Sequence, residues 1–143
     1  LVLAGGKGWD EDIDPALASV PEHLTVLCPG YLPLEDLPGF LSGCLILAYP
    51  SIAEGFGLPV LEAMSCGAAT LTTRLTSLPE VGGDAVAYCD IDPDSIACAL
   101  VELLDAPARR EALGAAAIPR ANEFTWARAA SVHIDAFRAA ARS

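Results

Sequence analysis

Short apolar runs, closed off by glycine and proline and alternating with helically spaced segments, organise the first two-thirds of the chain. Leu1-Val2-Leu3-Ala4 stops at Gly5-Gly6, the pattern of a buried strand entering a tight turn. Residues 15–20 predict a short helix, and residues 24–27 a second strand closed by Pro29-Gly30. From 34 to 42, Leu34, Leu37, Phe40 and Leu41 fall at helical spacing, which Pro38-Gly39 interrupts. Residues 44–49 are short and almost wholly apolar, as a central parallel strand covered on both faces is.

A helix is expected over 58–66, with Pro59 in its first turn and Gly67 just past its end. A strand over 68–72, a turn or brief helix over 78–81 and a strand over 85–89 follow. The C-terminal third, 92–143, is helical. Ile96, Leu100, Leu103 and Leu104 share one face of a segment 95–104 capped by Asp92 or Asp94. Two alanine-rich helices, 109–122 and 126–141, complete it, with Thr125 capping the second. Strands alternating with helices through short connections predict an α/β fold, a parallel sheet with helices on both faces. Ligands of such sheets sit beyond the carboxyl ends of the strands, at helix N-termini, and the loop 50–58 occupies that position.

Composition narrows the function classes. The 143 residues suffice for one hydrophobic core, and a hydrophobic share of 53% argues against disorder. A formal charge of −11 leaves no basic footprint for neutralising nucleic-acid phosphates. No apolar run approaches the roughly 18–20 residues of a membrane span, and residues 1–4 are too short for a signal peptide. Cys28, Cys44, Cys66, Cys89 and Cys98 form no C-x-x-C pair; they read as buried, reduced thiols, a usage that fits the cytoplasm. Trp9 and Trp126 read as packing anchors, Lys7 as a solvated turn residue, and His23 and His133 as structural. The series Asp84, Asp90, Asp92, Asp94 lacks the spacing of a calcium loop, so helix capping is expected and no metal site.

The chemistry concentrates between Pro50 and Gly67. Gly55 and Gly57 let the backbone approach a ligand closely. Free N–H groups at the start of the helix beginning at Leu58, together with its dipole, favour an anion such as a pyrophosphate. Glu54 precedes this anion site, where its carboxylate can hold sugar hydroxyls. Glu62 lies about one turn into the helix, where two oxygens can accept both hydroxyls of a ribose. Ribose, diphosphate and hexose are the parts of a nucleotide sugar. The bland alternative, a common Gly-x-Gly turn with an exposed helical glutamate, stands beside this reading.

Glu54 and Glu62, with the glycine-proline sequence between them, resemble the E-x(7)-E signature of the large retaining GT-B glycosyltransferase family, glycosyl transferases group 1 or family 4. The similarity extends along the chain. Leu1-Val2-Leu3-Ala4-Gly5-Gly6-Lys7-Gly8-Trp9 is similar to an early strand and turn of the family's C-terminal domain, and Gly30-Tyr31-Leu32-Pro33 with Glu35-Asp36-Leu37 to its base-binding loop and next helix. Ser77-Leu78-Pro79-Glu80-Val81 with Asp84-Ala85, and Phe124-Thr125-Trp126, match later segments. The resemblance implies a Rossmann-like half of a GT-B enzyme that binds a UDP- or GDP-type sugar. It implies Glu54 as the catalytic-site carboxylate on the transferred sugar, and the amides of Gly55, Phe56, Gly57 and Leu58 near sugar and phosphates. Glu62 would then hold ribose, and the backbone at Leu32 the nucleobase. It also implies retaining transfer without a cofactor or an essential metal.

The same resemblance puts a strand and helix with a cationic pyrophosphate clamp, and a whole acceptor domain, ahead of Leu1. The first βα unit is therefore expected to be missing, with residues 1–143 inactive until joined to an acceptor domain or partner chain. An unpaired sheet edge at residues 1–4 would favour a homodimer. Two rivals remain: a stand-alone or remnant nucleotide-binding, self-associating module without transferase activity, and a receiver-like or flavodoxin-like phosphate binder. The last accounts for neither glutamate.

Overall fold

The computed structural model describes residues 1–6, 8 and 11–142, and the readings of Lys7 and Trp9 lie outside it. The chain forms two compact units, residues 1–37 and residues 38–143.

In the first unit, strand β1 (Val2–Ala4) pairs in parallel with β2 (Leu27–Gly30). The intervening helix is α1 (Ile13–Ala18). The second strand lies about three residues later than its apolar pattern predicts and contains Pro29 rather than ending before it. Pro29 has no N–H to give to the ladder, and the register slips there: Val2 faces Leu27, but Ala4 faces Gly30. None of the described residues of this unit is buried, β1 included. Two short strands and a six-residue helix offer too little surface to cover an apolar strand.

The second unit carries the core. Helix α2 (Leu37–Gly43) starts with Pro38-Gly39 in its first turn instead of being broken there, because proline at a helix start gives up only an N–H that has no partner anyway. Strands β3 (Leu47–Tyr49), β4 (Thr70–Thr73) and β5 (Ala87–Cys89) form a parallel sheet in the order β3-β4-β5. Leu47, Ala48 and Tyr49 pair with Thr70, Leu71 and Thr72. Between the strands run α3 (Leu58–Ser65) and α4 (Leu78–Gly82), and after them α5 (Pro93–Leu104), α6 (Pro107–Ala121) and α7 (Trp126–Ala140). Asp92 caps α5 by accepting the Ser95 N–H, and Thr125 caps α7 by accepting that of Arg128.

Helices cover both faces of this sheet. On one face Val60 and Met64 of α3, Leu78 and Val81 of α4, and Ala117 and Ala121 of α6 form one cluster. On the other, Leu71, Ala87 and Cys89 meet Leu103 of α5. The centre strand β4 is buried throughout, and its threonines are satisfied: Thr72 Oγ1 donates to the Tyr49 carbonyl and Thr73 Oγ1 to that of Ser51. Two sequence readings change. Trp126 is 88% exposed at the start of a helix with no buried residue, so it anchors no packing. Only Cys89 among the cysteines is buried; Cys28 and Cys98 are exposed, one in the uncovered first unit and the other on the outer face of α5.

Candidate functional site

β3 ends at Tyr49, and residues 50–57 carry the chain to α3. The threonine bonds from the end of β4 to Tyr49 and Ser51 hold the start of this loop against the carboxyl ends of the strands. Four hydroxyl groups then converge on one residue. Tyr49 donates to Glu54 Oε1 at 2.6 Å and Ser51 Oγ to the same oxygen at 2.8 Å. Thr76 Oγ1 accepts the Glu54 N–H at 3.0 Å, and Ser77 Oγ donates to the Glu54 carbonyl at 3.1 Å. Such bonds to a carboxylate are stronger than neutral ones, so the half-buried side chain is held firmly. No described residue donates to Oε2. Burial, the hydrogen bond to Glu54 and then the charge of Glu54 push the Tyr49 hydroxyl up to about 12, so it stays protonated and donating across the neutral range.

Thr76 makes its contact at a backbone φ of 50°, in the left-handed region that a β-branched residue rarely adopts. The strain sits beside the loop's main carboxylate.

Gly57 is the N-cap of α3 at φ 95°, and a Cβ there would stand 2.7 Å from Leu78 Cδ2, so the turn needs glycine on both counts. Fewer helix-start amides are free than the sequence predicts. Pro59 has none, and the Val60 and Leu61 N–H groups both return to the Gly57 carbonyl, leaving that of Leu58. The N–H groups of Gly55, Phe56 and Gly57 join it; no hydrogen bond among the described residues takes any of these four. The Phe56 ring packs edge-on against Phe124, with centroids 5.8 Å apart, and the Arg120 guanidinium covers the Phe124 ring. The Phe56 N–H is thus left without a described partner while its side chain ties the loop to the segment before α7.

Val60, Ala63 and Met64 form the buried face of α3, so Glu62 stands on the opposite face with Leu58 and Ser65. Helical side chains lean toward the N-terminus, which carries the Glu62 carboxylate back over Leu58, toward the loop. No described residue hydrogen-bonds it. Glu54, Gly55, Phe56, Gly57, Leu58 and Glu62 therefore fall within one loop-and-helix segment. Leu32 lies in the first unit just after β2, where the Tyr31 ring rests over Gly6 so closely that a Cβ on Gly6 would meet it at 2.6 Å. Two cavities, of about 310 and 240 Å³, are lined by other residues: Leu17, Val20 and Cys28 in the first unit, and Cys44, Gly67 and Arg110 in the second.

Sequence reasoning named the two glutamates and missed the hydroxyls that hold Glu54. The signal was the run of hydroxyl residues at the end of β4 and just beyond it, Thr72, Thr73, Thr76 and Ser77, of which the last two contact Glu54.

Known proteins resemble this chain in sequence and fold. The family described as glycosyl transferases group 1 matches the chain over residues 1–120. The O-antigen chain mannosyltransferase B of Escherichia coli is 38% identical over 96% of this chain and 37% of its own length. The D-inositol 3-phosphate glycosyltransferase of Arthrobacter sp. (strain FB24) is 30% identical over 96% of this chain and 33% of its own length. The chain thus spans well under half the length of these relatives. Among solved structures, sucrose-phosphate synthase from Thermosynechococcus elongatus superposes with a TM-score of 0.82 at 23% identity, covering 99% of this chain and 39% of that one. Anabaena HepE, solved in complex with UDP, gives 0.72 at 19% identity over 85% of this chain and 35% of its own. At these identities the likeness concerns the fold.

Proposed function

Because the chain belongs to the glycosyl transferases group 1 family, we propose that it forms the donor half of a retaining hexosyltransferase and binds a UDP- or GDP-type sugar at the loop 50–58. The observation that carries this reading is the state of the Glu54 carboxylate and the residues that follow it: one oxygen is held by two hydroxyls, the other has no donor among the described residues, and no described hydrogen bond takes the next four N–H groups along the chain. Glu54 accepts from hydroxyls of the transferred sugar. The amides of Gly55, Phe56, Gly57 and Leu58 face the diphosphate and stabilise the charge that grows on it as the glycosidic bond breaks. Glu62 accepts from ribose. In this reading the donor domain needs no metal or other cofactor.

Gly55, Phe56, Leu58 and Glu62 are exposed, which supports a second wall to the site from an acceptor domain or partner chain. No helix among the described residues is long and apolar enough to cross a membrane, and the reading places the transfer in the cytoplasm. The exposed apolar strand β1 favours the second reading, a nucleotide-binding module that pairs with its own copy and transfers nothing; sugar transfer by the isolated chain would remove it.

Calorimetric titration with UDP- and GDP-hexoses tests the donor site. Glu62→Ala is expected to weaken binding roughly 10- to 100-fold, the effect of losing hydrogen bonds to a charged group. Equal affinities for the two proteins would remove the proposal.

A further inference from the structure

Tyr49 stands outside the glutamate pair and its glycines, yet it makes the shortest of the four contacts to Glu54. We propose that Tyr49 is a positioning residue that, with Ser51, saturates one oxygen of Glu54 and thereby makes the other the single acceptor for the donor's hexose. This rests on the donor-site reading above and specifies how that site grips the sugar.

The placement of Tyr49 is the first argument. It is the last residue of β3, not a loop residue: its backbone is in register with Thr72, and its carbonyl accepts the Thr72 hydroxyl. The ring is half-buried against the core cluster that holds Val60 and Met64. The hydroxyl that reaches Glu54 therefore comes from the rigid sheet, and a tyrosine loses little conformational freedom in making the bond. Ser51 donates from the loop itself, and its carbonyl is fixed by Thr73.

The number of acceptor positions is the second argument. A carboxylate oxygen has about two lone-pair directions, and on Oε1 both are taken. Two donors from different backbone positions also fix the rotation of the carboxylate plane. A ligand hydroxyl then finds acceptor capacity only at Oε2, so Glu54 takes the hexose through one oxygen. Glu62, which no described residue holds, keeps both oxygens for the neighbouring hydroxyls of a ribose. The two carboxylates thus differ in grip because of their partners.

The experiment compares binding of the free nucleoside diphosphate (UDP or GDP) with that of the matching nucleotide hexose. It uses the full chain and its Tyr49→Phe, Glu54→Ala and doubly substituted forms. Tyr49→Phe keeps the ring and removes only the hydroxyl. It is expected to cut the affinity gained from the hexose roughly 10-fold, the lower end of what one charge-assisted hydrogen bond contributes. Affinity for the bare diphosphate should change less than the hexose gain does, because Tyr49 acts through Glu54. In the Glu54→Ala background, Tyr49→Phe should have no further effect. Ser51→Ala, which leaves the core intact, should act in the same direction.

Three results would overturn the inference while leaving the donor site standing: a hexose gain that Tyr49→Phe leaves whole, an equal loss for both ligands, or a Tyr49→Phe effect that persists without Glu54. Absence of nucleotide binding by the unsubstituted chain would remove the donor site and this inference together.

Discussion

At Gly57 the chain needs a backbone angle and an empty volume at the same point. Its φ of 95° disfavours any side chain, and a Cβ would press on Leu78, a fully buried residue. Gly57→Ala is expected to destabilise the protein by about 1–3 kcal/mol, read as a lower urea midpoint at unchanged slope. Glycines and glutamates of this kind were legible in the sequence because their spacing is local: loop, cap and helical turn fall within a few residues of one another. The hydroxyls around Glu54 were not. Thr76 and Ser77 reach it from 22 and 23 residues downstream, and they come close only because β3 and β4 lie side by side. No periodicity along the chain reports a contact between two strand ends. Trp126 shows the opposite failure: its large apolar surface argued for packing, and the helix it opens has no buried residue.

Among the helices, α3 and α6 pack directly against each other in the core. The turn after α3 runs against α6 at Gly114, where a Cβ would collide with the Gly67 carbonyl oxygen. Glycine within a helix usually weakens it by about 1 kcal/mol relative to alanine. Here the balance reverses, because the neighbour is backbone and cannot yield. Gly114→Ala is expected to lower stability by about 1–3 kcal/mol in thermal or urea unfolding, and a gain in stability would show that the two segments have room to part. Element boundaries were legible where a cap is local, as at Asp92 and Thr125, whose side chains accept from the third residue onward. They were displaced where proline was taken as a stop. Pro38 lies in the first turn of α2, and Pro29 sits inside β2 at the cost of a register slip.

For the whole molecule, a charge of −11 opposes any diphosphate ligand at long range, and salt screens that field within about 10 Å. Recognition therefore has to come from short-range groups, the amides and carboxylates of the loop. The order of strands and helices was read correctly from alternating patterns, and so was their α/β class. The difference between a unit with a buried core and a unit with no buried residue among those described was not, since the apolar run at residues 1–4 looks the same whether it is covered or not. Amide chemical-shift mapping of the isotopically labelled chain during titration with a UDP- or GDP-hexose tests the central claim most directly. The account predicts the largest shifts at Gly55, Phe56, Gly57 and Leu58, with Glu54 and Glu62 close behind; a saturable response confined to other residues, or no response at millimolar ligand, would contradict it.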